Sequence, residues 1–274
     1  MIAYFHLPGL FEFYEFYKEF LPLFFERREF FYEWCDIGSI YGAPTNLIWG
    51  GGRVGFGEDN EEDVVKLMKE YGISSRLTFS NSFIKNGVII YSDLLLEYIS
   101  KNYPKLYFVS STTKVITDFD EFTKELDRSE FDYVVPDFRL NKRVDELGHL
   151  NEQEKNKVEF LINECCDFNC LDRKACYENV SLKSLGENVP DHVCKSPNAS
   201  EGYVFSRAMK NPGFISLDDI KNIYMPLGFS NYKIEGRSLG SALILEFILY
   251  YMTKPEYQLN VREKIYLNSS LDLF

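Results

Sequence analysis

Residues 105–135, KLYFVSSTTKVITDFDEFTKELDRSEFDYVV, decide the fold because they read as a strand, a helix and a second strand. The apolar runs at 105–109 and 131–135 have the length of buried strands. Between them, Asp118 is followed three residues later by Glu121, a pattern typical of a capping box that begins a helix. Two strands joined through a helix predict a parallel pair.

The same alternation recurs on both sides of this unit. Helices are predicted at 61–71 and 92–102, from Ser216 with Asp219, and from Ser238 onward. Further strands are predicted at residues 2–5, 45–49, 76–79, 159–162 and 232–234. Strands that alternate with helices in this way predict an α/β fold, a parallel (β/α) barrel of the TIM-like kind with seven or eight strands. We expect one domain that spans residues 1–274.

One interval between predicted strands is much longer than the others. Successive strands are spaced by about 30 residues, the length of a strand–helix–strand unit. After the sixth strand the next one begins only at Tyr232, which leaves about 40 residues more than such a unit needs. We assign the excess to an insertion, residues 165–210, which carries nearly all the cysteines. Irregular segments of this length in a compact domain are usually either functional or disordered.

Composition and charge indicate which classes of binding partner are compatible with this chain. The chain has 274 residues, is 45% hydrophobic and carries a net charge of −12, which argues against a nucleic-acid partner. The N-terminal segment lacks the basic region of a signal peptide, and the apolar run at 243–252 contains Glu246 and is too short to span a bilayer. We therefore expect a cytoplasmic protein with no membrane partner and a small-molecule or peptide substrate. The sequence leaves the oligomeric state open.

Polar residues follow most of the predicted strands. In a parallel barrel these positions share one rim, where active sites lie. We predict that Glu164, Glu235 and Arg237 are catalytic, and that substrate-binding residues are Arg53, Asn81, Asp137, Arg139 and Asn163. Glu164 is the predicted acid–base group, because burial beside an apolar strand would raise its pKa. The alternative is that Asp137 with Arg139, and Glu235 with Arg237, are structural ion pairs.

The cysteines form a cluster in sequence. Their spacing is Cys165-Cys166-x3-Cys170-x5-Cys176-x17-Cys194, with Cys35 far upstream. Thiolates are soft ligands for iron–sulfur clusters or zinc, and four are usually needed. Cys170, Cys176 and Cys194 would supply three, and Cys166, Cys165 or Cys35 the fourth. Plain reduced thiols are the alternative. The chain has no HExxH motif.

Three stretches of the C-terminal half resemble a known family. They are Asn163-Glu-Cys-Cys166, the segment Cys170…Arg173…Cys176, and Tyr232-Lys-Ile-Glu-Gly-Arg237. In these the chain resembles the collagenase-like peptidase family of unknown catalytic type. The resemblance implies a barrel, with either peptidase activity or oxygen-independent hydroxylation of RNA bases or quinone precursors. In the second case it implies a [4Fe–4S] cluster on four cysteines, with Cys170, Cys176 and Cys194 at cluster positions, and we assign Cys166 as the fourth ligand. No cysteine follows Cys194, so the fourth ligand has to lie upstream.

Three functions are therefore carried forward. The first is an iron–sulfur enzyme that modifies a small molecule or RNA. The second is a peptidase or other hydrolase that uses a carboxylate and zinc. The third is a non-catalytic binding protein whose partner surface is the aromatic segment 11–32. For that segment the alternative is a helix packed in the core.

Overall fold

The computed structural model describes residues 3–8, 13–32, 41–43, 66, 70, 74–75, 87–184, 186–197, 199–236 and 239–267. Eight strands lie within these ranges, and every ladder between them is parallel. The strands are β1 (Tyr4–Pro8), β2 (Tyr41–Ala43), β3 (Ser74–Ser75), β4 (Gly87–Ile90), β5 (Tyr107–Ser110), β6 (Tyr133–Val134), β7 (Glu159–Leu161) and β8 (Asn231–Lys233).

The strands form two parallel sheets, and the predicted closed barrel is wrong. One sheet has five strands in the order β3-β2-β1-β8-β7, and the other has three in the order β4-β5-β6. Among the described residues a single parallel bridge, Val134 to Val158, joins the two sheets, and no ladder joins β3 to β4. Closure needs a continuous ladder at every edge. Strands of two to five residues leave these edges almost unpaired. The fold is mixed α/β.

The two faces of the sheets pack differently. On the outer face, Phe5, Phe160 and Tyr232 are in register with one another and contact aromatic side chains of the surrounding helices. On the opposite face, which we call the inner face, Leu161 of β7 packs with Tyr107, Val109 and Val135. This alternation follows from the two-residue period of a strand. The inner face is shared by both sheets.

Eleven helices of the described ranges are α-helical. They are α1 (Tyr14–Glu26), α2 (Asp93–Asn102), α3 (Phe119–Asp127), α4 (Val144–His149), α5 (Glu152–Lys157), α6 (Arg173–Ser184), α7 (Phe205–Ala208), α8 (Leu217–Asp219), α9 (Met225–Leu227), α10 (Ser241–Tyr251) and α11 (Gln258–Arg262). The predicted caps at Asp118 and Ser216 are confirmed, and the Ser216 cap is a full capping box with Asp219. None of the helices described is long and apolar enough to cross a membrane.

The aromatic segment near the N-terminus is part of the core. Tyr17, Phe20, Leu21 and Phe24 of α1 are buried, and the rings of Phe24 and Phe31 are 4.7 Å apart. These positions are the ones that a helix presents to the interior at helical spacing. The core-helix interpretation of 11–32 is therefore confirmed for the described part of the segment. The predicted helix at 61–71 and the predicted strands at 45–49 and 76–79 fall largely or wholly outside the described residues.

The cap of α3 gives a first testable prediction. The Asp118 carboxylate accepts a hydrogen bond from the Glu121 backbone N–H at 3.0 Å. We expect Asp118→Ala to lower the free energy of unfolding by about 1 kcal/mol, the usual cost of losing such a cap. Chemical denaturation measures this, with Asp120→Ala in the same first turn as the control. Equal effects of the two substitutions would contradict the capping role.

Candidate functional site: a buried charge network under the cysteine segment

Four charged side chains form a buried network beyond the carboxyl ends of β6 and β7. They are Asp137, Arg139, Glu164 and Arg173. Asp137 is fully buried, and Arg173 and Glu164 are 4% and 6% exposed. Arg139 is mostly buried as well. The two carboxylates and two guanidinium groups balance one another, which is the condition for keeping charges out of water.

The ion pairs run as a chain from one segment to the next. Arg139 donates two hydrogen bonds to Asp137, from Nε to Oδ1 at 2.6 Å and from Nη2 to Oδ2 at 3.0 Å. Arg173 Nε lies 3.4 Å from Asp137 Oδ2, and Arg173 Nη2 donates to Glu164 Oε2 at 2.6 Å. Arg173 therefore joins the two carboxylates, and the predicted structural pairing of Asp137 with Arg139 is present.

Local backbone contacts hold the carboxylates in place. Asp137 Oδ1 accepts from the Arg139 N–H at 3.1 Å and so caps a short 3-10 turn, Phe138–Leu140. Glu164 Oε1 accepts from the N–H groups of Cys165 at 2.9 Å and Cys166 at 2.8 Å. Side chains that bond to their own following turn are typical of Asp and Glu at strand ends.

The charge state of Glu164 differs from the expected one. Burial raises the pKa of this carboxyl, but the Arg173 guanidinium and the Cys166 N–H outweigh that effect and hold the pKa below its ordinary value. The prediction of a raised pKa is wrong, because it did not include Arg173 as a partner. Glu164 is thus an ionised anchor at neutral pH, and its role in catalysis stays a prediction.

The network holds in place the cysteine segment, by which we mean residues 165–176. Glu164 holds the N–H groups of Cys165 and Cys166, and Asn211 Nδ2 donates to the Cys166 carbonyl at 2.8 Å. Arg139 Nη1 donates to the Cys170 carbonyl at 2.9 Å. Arg173 is also the first residue of α6, the helix that carries Cys176. The segment from Cys165 to Cys176 is therefore tied to buried polar groups at Cys165, Cys166, Cys170 and Arg173.

The thiols of this segment differ in environment. Within the described residues, none of the five cysteines from Cys165 to Cys194 forms a disulfide. Burial raises the pKa of Cys165 to about 11 and that of Cys166 to about 12, whereas Cys194 is exposed. Near Cys194, the Asp172 carboxylate and then the Cys170 sulfur raise the pKa of Lys195, which lies 3.0 Å from Asp172.

The donor chemistry suits a soft metal, but the ligands are not gathered around one point. Within the described ranges no group of three His, Cys, Asp or Glu side chains is placed to hold a metal ion. Thiols are the ligands of iron–sulfur clusters and of many zinc sites. Metal binding here would have to bring the thiols closer. The assignment of Cys166, Cys170, Cys176 and Cys194 as ligands stays a prediction, and Cys35 lies outside the described residues.

A clamp of two hydrogen bonds between Asn163 and Glu235 joins the ends of β7 and β8. Asn163, which is fully buried, accepts from the Glu235 N–H at 2.7 Å and donates to the Glu235 carbonyl at 3.1 Å. Its amide also donates to the Tyr203 hydroxyl at 3.3 Å. The Glu235 carboxyl in turn hydrogen-bonds to Glu164. Both amide hydrogens of Asn163 are used inside the protein, so substrate binding by this residue stays a prediction.

The clamp made by Asn163 should be important for stability. We expect Asn163→Ala to lower the free energy of unfolding by about 3 kcal/mol, because it leaves buried backbone groups of Glu235 without this partner. Asn231→Ala is the matched control, since this buried amide on β8 donates to the Asn156 carbonyl at 3.0 Å. A smaller loss, about 1 kcal/mol, is expected there. Equal losses in urea denaturation would contradict the clamp.

Sequence analysis predicted only some of the residues that form this site. The predicted Asp137, Arg139, Asn163, Glu164 and Glu235 lie together, as their strand-end positions require. Arg53, Asn81 and Arg237 are outside the described residues.

Three contributors were missed as site residues: Arg173, Tyr203 and Asn211. Arg173 stood within the Cys170…Cys176 motif and could have been recognised there. Tyr203 and Asn211 carry no sequence signal of their own.

Comparisons with known proteins identify no relative of this chain. No family model, no curated protein and no solved structure matches this chain.

Proposed function

We propose that this protein is an enzyme that binds an iron–sulfur cluster through Cys166, Cys170, Cys176 and Cys194 and modifies a small molecule or RNA, as its resemblance to the collagenase-like peptidase family implies. One observation carries the proposal. The segment that holds three of these cysteines is tied to a buried network of four charges.

The energetics of the network support a positioning role. Removing charged groups from water costs several kcal/mol for each ion, and ion pairs repay this only with good geometry. A protein that needed only stability would do as well with apolar side chains at these positions. Here three of the bonds that leave the network end on the backbone of Cys165, Cys166 and Cys170. The network is therefore suited to hold the backbone of the cysteine segment in place.

The chemistry is divided between the cofactor and the chain. A bound cluster supplies one-electron transfer. The chain supplies the ligands, the Glu164–Glu235 carboxyl pair beside them, and the Tyr203 hydroxyl, which donates to the Asn163 carbonyl at 2.7 Å. These polar groups would orient a polar substrate close to the cysteines.

The test is the metal and acid-labile sulfide content of protein purified without oxygen. We expect about four iron and four sulfide per chain, the content of one cubane cluster, with a broad visible absorption. Cys166→Ala should lose the cluster. Cys165→Ala, the adjacent cysteine, is the matched control and should keep it. Zinc alone, or protein without any metal after reconstitution with iron and sulfide, would overturn the proposal.

A hydrolase is the second candidate, and the carboxyl pair favours it. The Glu235 carboxyl lies close enough to Glu164 to contribute to the lowering of its pKa, so the two carboxyls form a neighbouring pair. Such pairs supply the acid and the base of several hydrolases. Peptide hydrolysis that is abolished by Glu235→Gln would support this function. No turnover across peptide and ester panels would exclude it.

A further inference from the structure

A cleft opens at the amino ends of β1 and β8, at the edge of the sheet opposite to the cysteine segment. Its volume is about 550 Å³, which lies within the usual range of small-molecule sites. One wall is α5, and the other consists of Tyr4, Ser230 and the end of α9 at Leu227 and Gly228. The cleft is therefore separate from the buried charge network.

Three polar residues of α5 line this cleft, and their spacing explains why. Glu152, Lys155 and Asn156 stand at positions i, i+3 and i+4 of the helix, so they share one of its faces. That face presents one carboxylate, one ammonium and one amide. The sequence EQEKN thus brings two opposite charges to the same side of a short helix.

Lys155 is held in position by the groups around it. A Cβ atom added at Gly228 would lie 3.5 Å from Lys155 Cδ, and the Lys155 ammonium lies 5.9 Å from the centre of the Phe229 ring. Lys155 Nζ donates to the Gly148 carbonyl at 3.0 Å, which is its one hydrogen bond among the described residues. An ammonium has three donors, so others are left for a ligand.

Glu152 supplies the opposite charge. Its side chain is exposed, and within the part of the chain that the structure describes its carboxylate makes no hydrogen bond or ion pair. Leu227 and Tyr4, both partly buried, add apolar and aromatic surface to the lining. The cleft therefore combines one negative charge, one positive charge and an apolar patch.

Hydrogen bonds join the walls of the cleft to one another. The Tyr4 N–H donates to the Ser230 carbonyl at 2.7 Å, and Nδ2 of the buried Asn231 donates to the Asn156 carbonyl at 3.0 Å. These bonds connect β1 and α5 to the start of β8. The cleft is thus formed before any ligand enters, which reduces the free energy lost in ordering the site on binding.

We propose that this cleft binds a free α-amino acid with an apolar side chain, such as leucine. The carboxylate of the amino acid pairs with Lys155, its ammonium pairs with Glu152, and its side chain packs against Leu227 and Tyr4. The inference stands apart from the proposed iron–sulfur function, since it uses none of the cysteines.

Charge complementarity favours a zwitterion over other small molecules. A simple anion is attracted by Lys155 but repelled by Glu152, and a simple cation is attracted by Glu152 but repelled by Lys155. A molecule that carries both charges is attracted by both residues, and the wrong pairing of like charges is costly. The apolar lining then distinguishes amino acids by their side chains.

The test is isothermal titration calorimetry of the full-length, wild-type protein with L-leucine, for which we expect saturable binding at a single site. Two analogues each remove one charge, since leucinamide lacks the carboxylate and isocaproate lacks the amine. Each should bind at least about tenfold more weakly, the factor expected for the loss of a hydrogen bond between charged groups. Glycine, which lacks the apolar side chain, should also bind more weakly. None of these measurements depends on a variant.

Variants then locate the binding site. Glu152→Gln and Lys155→Met should each weaken leucine binding by about tenfold or more, and thermal melting reports whether the fold is kept. Lys101→Met, at an exposed lysine of α2 outside the cleft, is the matched control and should leave binding unchanged. No leucine binding, equal binding of any analogue, or unchanged binding in Glu152→Gln would overturn the proposal. Iron and sulfide content plays no part in this readout, so failure here leaves the cluster proposal standing.

Discussion

Replacing Arg173 with methionine should lower the free energy of unfolding by about 3–5 kcal/mol, the usual cost of leaving a buried charge without its partner. Arg173 contacts Glu164 at 2.6 Å and Asp137 at 3.4 Å, and all three side chains are buried. Methionine keeps much of the volume and removes only the charge and its bonds. Guanidinium denaturation of the two proteins measures the difference.

The matched control is an ion pair with good geometry at the surface. Arg262 Nη2 contacts the Glu246 oxygens at 2.9 and 2.8 Å, but both side chains are at least one-third exposed. Arg262→Met should cost no more than about 1 kcal/mol, because water replaces the lost partner. If both substitutions cost the same, burial of the network is not what makes Arg173 important.

The same network should make stability depend on pH. The folded protein holds the pKa of Glu164 below the ordinary 4.5, so it favours the ionised form. The stability that this gives is fully present above pH 4.5 and is lost as the pH falls through the folded pKa. In Arg173→Met this part of the acid sensitivity should disappear. Denaturation curves at neutral and at acid pH test it, and an unchanged pH profile would contradict the assignment.

Alkylation should separate the cysteines of metal-free protein by orders of magnitude. Because burial raises the pKa of Cys165 to about 11 and of Cys166 to about 12, both are protonated thiols at neutral pH. Only the thiolate reacts with iodoacetamide, so their rates should rise about tenfold for each pH unit below these values. Cys194 is the exposed internal reference.

Peptide-resolved mass spectrometry at several pH values gives these rates in one experiment. Cys166 reacting as fast as Cys194 at neutral pH would contradict the burial of its sulfur. The result would also weigh against a thiol nucleophile at Cys165 or Cys166, since catalytic cysteines need a lowered pKa.

Local sequence signals predicted local structure well. The unit at 105–135 contains β5, α3 and β6, and its helix begins after the Asp118 cap. Such elements depend on neighbouring residues alone. Closure of the sheet depends instead on hydrogen bonds between strand edges far apart in sequence, which no periodicity encodes. The short strand Gly87–Ile90 was not predicted either, because four residues are too few to establish a strand period.

In the candidate site, too, the residues at strand ends could be predicted from the sequence, whereas the partners that reach them from elsewhere in the chain could not. Asp137, Asn163, Glu164 and Glu235 were predicted to meet because each follows a strand, and they do lie together. Their partners could not be found in this way. Tyr203 comes from the predicted insertion and Asn211 directly follows it, in irregular stretches where neither strand nor helix periodicity predicts a direction for the side chain. Because the sequence analysis did not pair Glu164 with Arg173, it predicted a raised pKa for Glu164, whereas this pKa is lowered.

The clamp between Asn163 and Glu235 also has a consequence for the order of assembly during synthesis. Chains fold from the N-terminus as they leave the ribosome. A nascent chain that ends before residue 231 contains Asp137, Glu164 and Arg173, but lacks both β8 and the Glu235 backbone that Asn163 holds. The segment that carries the cysteines can therefore be locked to β8 only after residues 231–235 have left the ribosome.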